Sequence, residues 1–239
     1  MPARNPPIVF EATGEWYDGE IQRFVRLDNE SPPETKGVVF VGSSIFREWR
    51  EVRDFHGDFS PVPVLNRAFG GSTTADQIQP DVMNAIVVPH DPRVLVYYCG
   101  SNDLNEGTPP ESIRDGFVNW SVEARRQLNN EHLQFVFVSI NRAPQKQPVW
   151  KELDRTNELV KDYCTVTPGH MFVDVNPLFF VGDQRNSNPR FDLFREDGLH
   201  FRPEAYEVMM PTVRKAVFHA WERALQGEKE TVAKAQSAG

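Results

Sequence analysis

Residues able to do nucleophilic chemistry stand in four separate places along this chain of 239 residues. Gly42-Ser43-Ser44 offers a hydroxyl, Gly70-Gly71 a pair of glycines, and Asn102 a carboxamide. Asp197 and His200 supply a carboxylate and an imidazole three positions apart. A hydroxyl that attacks, a base that takes its proton and neutral donors for a developing oxyanion are the requirements of acyl transfer. Each piece also has a plainer reading. A serine between a strand and a helix is commonly a cap, a glycine pair a tight turn and an asparagine a helix cap. Asp197 could form a turn ahead of Pro203, and His200 alone reads as a partly buried loop residue. The joint occurrence of all four, in this order, is what favours chemistry.

These groups need elements to bring them together. Five short apolar runs, Val38–Val41, Val62–Leu65, Val94–Cys99, Phe135–Ile140 and Met171–Val175, are nearly continuous rather than alternating. That pattern predicts strands buried on both faces of a parallel sheet. Stretches with helical spacing lie between and after them, over Thr74–Ile86, Pro110–Leu128, Val149–Cys164 and Pro203–Leu225. Strands alternating with helices imply right-handed crossovers. The expected fold is α/β, a three-layer α/β/α sandwich on a flavodoxin-like, doubly wound sheet of about five parallel strands. Ligands of such sheets bind beyond the carboxyl ends of the strands. The hydroxyl, the glycine pair and the carboxamide follow the first, second and third runs, so they share one rim. The fifth run leads to Asp197 and His200 through Pro177–Arg195, which reads as a long loop carrying Phe179, Phe180, Phe191 and Phe194.

Residues 1–36 read as an N-terminal extension with an amphipathic helix over Glu15–Asn29, anchored by Trp16, Phe24 and Leu27 and packed on the domain. The same segment could instead meet a second copy, which leaves a homo-oligomer open. Residues 37–226 form one domain, and residues 227–239, without bulky apolar side chains, read as a flexible tail.

Composition removes several function classes. A net charge of −8 argues against nucleic acid, which attracts clustered lysine and arginine. No apolar run approaches the roughly 20 residues of a membrane-spanning helix. Met1–Phe10 lacks the apolar core of a secretory signal, so a cytoplasmic location is expected. Cys99 and Cys164 are too few for a disulfide framework or a cysteine-based zinc site, and the histidines show no metal-ligand spacing. Neither a metal nor a cofactor is expected. Ser43 stands where a phosphate-binding P-loop needs its lysine, and Phe46 where the G-x-S-x-G elbow needs its second glycine.

Four blocks now carry a resemblance to the SGNH or GDSL-type serine hydrolases. They are VVFVGSSIFREW, VLNRAFGGSTTAD, VYYCGSND and DGLHF, in the family's order and spread over most of the chain. Within that family the sequence is most similar to bacterial GDSL-like esterases whose first block reads GSS. It also resembles the catalytic subunits of platelet-activating-factor acetylhydrolase. Ser43 replaces the usual aspartate, and Asp103 follows Asn102 where many members carry a second asparagine. The resemblance implies that Ser44 is the nucleophile, His200 the base and Asp197 its orienting carboxylate. It likewise implies an oxyanion hole formed by the Ser44 backbone, Gly71 and Asn102. The expected substrates are small-molecule carboxylic esters of short acyl chains, such as acetyl esters of carbohydrates, with Phe69, Trp150 and Leu199 walling an acyl pocket. Two alternatives stand beside this reading. One is a non-catalytic binding protein on the same fold, the other an acyltransferase or lysophospholipase activity at the same site.

Overall fold

The computed structural model describes residues 7–182 and 188–237. Five parallel strands form its sheet: β1 Val38–Gly42, β2 Val64–Asn66, β3 Val94–Tyr98, β4 Gln134–Val138 and β5 His170–Val173. Their order across the sheet is β2-β1-β3-β4-β5, the flavodoxin-like order expected of the sequence. Every residue of β1 and β3 is buried, because helices cover both faces.

Strand side chains alternate between those faces. Val38, Phe40, Val94, Val96 and Tyr98 face a core built with α2 (Ser44–Val52), α3 (Phe55–Phe59) and α9 (Pro203–Ser237). Val39, Val41, Leu95, Tyr97 and Phe137 face α1 (Asp18–Glu30), α5 (Pro80–Ile86), α7 (Pro110–Leu128) and α8 (Trp150–Val166). The first core fixes the helix that follows β1. The Phe40 ring centre lies 4.9 Å from those of Phe55, edge-on, and Phe59, tilted, and Phe46 and Trp49 of α2 lie 5.2 and 6.3 Å from Phe40. Burying each such ring contributes about 1.5–3 kcal/mol. Phe46 therefore has a packing role where a G-x-S-x-G elbow would have glycine.

Several elements differ from their sequence reading. The helix expected over Thr74–Ile86 is two, α4 (Thr74–Gln77) and α5, because Pro80 forces Gln79 into an extended conformation. Two short helices went unpredicted at the rim, α2 and α6 (Ser101–Asn105). α1 starts at Asp18, not Glu15, which turns Ile21, Phe24, Val25 and Asp28 inward. Trp16 and Leu27 are thus not anchors; they are 60% and 42% exposed. Asp28 tolerates burial because Arg67 donates to its two carboxylate oxygens from Nε and Nη2. Desolvation raises the Asp28 carboxyl, and Arg67 opposes that rise.

The predicted tail is helical to Ser237. Arg93 grips both carboxylate oxygens of Glu228 at 2.9 Å, and His132 Nε2 meets Thr231 Oγ1 at 2.7 Å. These contacts carry α9 past the point where its apolar face ends. The stretch Pro177–Arg195 contains two helical turns, Asn176–Phe179 and Phe191–Leu193, and residues 183–187 of it lie outside the described residues. Among the described residues no helix is long and apolar enough to cross a membrane.

Gly42 closes β1 at φ +130°, and a Cβ there would sit 1.9 Å from the Tyr98 carbonyl oxygen. Gly42→Ala should therefore cost at least about 3 kcal/mol, read as a lower urea midpoint. A midpoint equal to the wild type would show that this turn accepts a side chain.

Candidate active site

Gly42 lets the chain turn against β3, and its neighbour Ser43 donates its N–H to the Tyr98 carbonyl at 3.0 Å. Ser43 takes the N-cap of α2 and Ser44 its first helical position, yet the Ser43 side chain makes no capping bond. The plainer reading of this serine pair as a cap is therefore not what the turn is used for. Ser44 Oγ instead meets His200 Nε2 at 3.1 Å. His200 Nδ1 meets Asp197 Oδ2 at 2.6 Å. Asp197 also makes the expected turn, its other oxygen accepting the N–H groups of Leu199 and His200 at 2.9 Å. Burial works to raise the Asp197 carboxyl, but the bond from His200 and those two backbone bonds outweigh it and leave it at about 2.

The loop holding Asp197 and His200 is tightly pinned. Phe194 bridges Phe201, Arg195 N–H donates to the His200 carbonyl at 2.8 Å, and Gln145 N–H donates to the Gly198 carbonyl at 3.0 Å. Phe179, Phe194 and Phe201 pack together beneath it. The loop phenylalanines are thus mostly core; only Phe191 is exposed.

The glycine pair and the carboxamide reach the same rim. The Gly42 carbonyl accepts Phe69 N–H at 2.9 Å, Ser72 Oγ–H at 3.0 Å and Gln77 Nε2–H at 3.3 Å. Gly71 lies between two of those donors, with φ +79°. Asn102 does not cap α6. Its Nδ2 donates to the Ser72 carbonyl at 2.9 Å, which brings it beside the Gly71–Ser72 turn. Asp103 accepts Thr74 N–H at 2.9 Å and the Thr74 hydroxyl at 2.5 Å. Burial raises the Asp103 carboxyl, and the Thr74 bonds oppose it. That contact, beside the bond from Asn102, laces the loop after β3 to the loop after β2.

The expected acyl wall is only partly assembled. Phe69 is fully buried under Trp16 and Tyr17, so it does not line an open pocket. Trp150 is half-buried, its Nε1 bound to the Ala143 carbonyl at 2.9 Å and its ring edge-on to Phe180. Leu199 is half-buried beside His200. Trp16 was missed: its exposed indole lies 3.1 Å from where a Gly71 Cβ would stand, over the glycine turn. A lone tryptophan ahead of a helix gives no signal of this, because the contact depends on where α1 docks. Glu48 and Arg195 were also missed, and both flank His200. No cluster that could hold a metal ion occurs among the described residues.

Known proteins resemble this chain in sequence and in fold. Residues 40–208 match the GDSL-like lipase/acylhydrolase family model, well over half of the chain. A platelet-activating factor acetylhydrolase IB subunit alpha1 from Bos taurus is 29% identical over 188 residues, covering 76% of each protein. The alpha2 subunit from Gallus gallus is 25% identical over 238 residues, covering 97% of each. Among solved structures, a GDSL-like lipase from Bacteroides thetaiotaomicron superposes with a TM-score of 0.63 at 20% identity, covering 84% of this chain and 98% of its own. An acetylxylan esterase from Geobacillus stearothermophilus gives 0.60 at 13% identity, covering 77% and 95%. At these identities the superpositions speak for the fold, while the family match speaks for descent. The chain belongs to the GDSL-like lipase/acylhydrolase family and is a carboxylic ester hydrolase.

Proposed function

We propose that the chain cleaves esters of short acyl chains through an acyl-enzyme on Ser44. The observation that carries this is the relay Ser44 Oγ to His200 Nε2 at 3.1 Å and His200 Nδ1 to Asp197 at 2.6 Å. Ser44 and His200 stand 156 residues apart in the sequence. In this reading His200 takes the Ser44 proton as Oγ forms its bond to the ester carbonyl carbon. The carbonyl electrons move onto the oxygen. On collapse the bond to the leaving alcohol breaks, and His200 returns the proton to that alcohol. Water then repeats the sequence on the acyl-enzyme and releases the acid. Asp197 remains ionised at every working pH and balances the imidazolium.

Three donors suit the oxyanion. Ser44 N–H lies in the first turn of α2, where backbone donors have no partner within the helix. Asn102 Nδ2 gives one hydrogen to Ser72 and keeps a second. Gly71, at positive φ, brings backbone close without a side chain in the way. Acetyl esters of carbohydrates fit the short-chain preference, with Leu199 and Trp150 beside the base loop as candidate walls. An acetylxylan esterase among the structural neighbours is consistent with that choice.

Ser44→Ala should lower kcat/KM on p-nitrophenyl acetate at least about a thousandfold without changing the melting temperature. Near-normal turnover by that variant would place the nucleophile elsewhere. Asn102→Ala should reduce kcat about a hundredfold and leave KM nearly unchanged. An unchanged kcat removes Asn102 from the oxyanion hole. Across p-nitrophenyl esters of two to ten carbons, kcat/KM should fall with length, and a maximum at ten carbons would reverse the substrate assignment.

A further inference from the structure

Glu48 stands one helical turn beyond Ser44 on α2 and is 4% exposed. The mechanism above gives this buried carboxylate nothing to do. Its Oε1 lies 3.8 Å from His200 Nε2, the same nitrogen that meets Ser44 Oγ. Arg47 Nη2 is 3.3 Å from Oε1, and Arg195 Nη2 is 3.0 Å from Oε2. These two guanidiniums provide the pairing a buried carboxylate requires. Arg195 in turn holds the base loop, through its N–H on the His200 carbonyl at 2.8 Å and its Nε on the Phe201 carbonyl at 3.1 Å.

We propose that Glu48 is a second acidic partner of His200, a positioning residue that stabilises the imidazolium formed when Ser44 gives up its proton. The proposal rests on the reading of Ser44 and His200 as nucleophile and base. In the resting state Nε2 turns a lone pair toward the Ser44 hydroxyl, and a carboxylate 3.8 Å away gains nothing from the neutral ring. Once Nε2 carries the proton, the ring is cationic and the same carboxylate attracts it. The interaction therefore strengthens as the transition state is approached, which is the condition for it to raise kcat. A separation of 3.8 Å is too long for a hydrogen bond, so the proton stays available to the leaving alcohol.

Other charges bear on the same ring. Asp197 faces Nδ1, and Glu51 lies 3.6 Å from Arg47, drawing part of that guanidinium's charge away from Glu48. From α9, Tyr206 donates its hydroxyl to the Ile45 carbonyl at 2.8 Å. Burial first, and then the negative charge of Glu48, push that hydroxyl's titration far up, so it stays neutral. Arg47 and Arg195 are the opposing cations.

Glu48→Gln keeps the shape and removes the charge. The acid limb of its kcat/KM profile should move to lower pH by about half a unit or more, because the protonated ring loses a partner. Its plateau kcat should fall about three- to tenfold with KM within about twofold of wild type. Arg195→Gln removes an opposing cation and should move the same limb to higher pH. A Glu48→Gln limb that coincides with the wild type, accompanied only by a lower melting temperature, would overturn the proposal and leave Glu48 a structural tie. Should Glu48→Gln fail to fold, Arg195→Gln decides, and a limb that stays or moves downward overturns it. A wild-type protein that hydrolyses no ester and takes no fluorophosphonate label at Ser44 would instead sink the underlying reading.

Discussion

The carbonyl of Gly42 is the point from which the rim is organised. It sits at the end of the central part of the sheet and collects three donors, from Phe69, Ser72 and Gln77. Those donors draw the loop after β2 across the top of β1, so the glycine turn arrives where α2 begins. Only a residue without a side chain can lie so close to Tyr98, and only this closeness puts Ser43 N–H on the Tyr98 carbonyl. The rest of the site follows from that anchoring. Asn102 is placed by Ser72, and Asp103 is placed by Thr74, one loop fastening the next.

Rigidity comes from below this rim as well as within it. The aromatic cluster of Phe40, Phe46, Trp49, Phe55 and Phe59 holds α2, and Tyr206 of α9, packed on Trp49, donates its hydroxyl to the Ile45 carbonyl. A second aromatic group, Phe179, Phe194 and Phe201, supports the loop of Asp197 and His200. Tyr206 joins the two groups, its ring 5.5 Å from both Trp49 and Phe201, so one continuous core lies beneath the hydroxyl and the imidazole. Polar groups at the rim can be placed finely because the apolar layer beneath them has almost no freedom.

Much of this was legible in the sequence, for physical reasons. Strands buried on both faces leave continuous apolar runs, so all five were visible, and the order of the polar blocks pointed to one edge of the sheet. Long helices with a full apolar stripe were visible too. What escaped were features set by tertiary contact. α2 and α6 are too short to show a period beside the strands they follow. The start of α1 is marked by Asp18, whose carboxylate accepts the N–H groups of Thr13 and Gly14, and its docking is tied by the Asp28–Arg67 pair across 39 residues. Phe69 looked like a pocket wall because it borders the glycine pair, but strand-end geometry turns it inward. The end of α9 depends on Arg93 and His132, neither of which marks a helix end in the sequence. Glu48 follows Ser44 by one turn, a spacing that means something only once the helix is known.

The separation of Ser44 from His200 also has a consequence in time. During synthesis the serine leaves the ribosome 156 residues ahead of its imidazole, and α9, which backs α2, comes later still. With Ser44 and His200 in the roles proposed above, a nascent or truncated chain would carry an unactivated hydroxyl, unable to attack esters around it. On that proposal reactivity would begin only when the C-terminal third docks against the first strand's helix. Hydrolytic competence would then be a checkpoint on completed folding, and a serine-directed label would report not just chemistry but whether both ends of the chain have met.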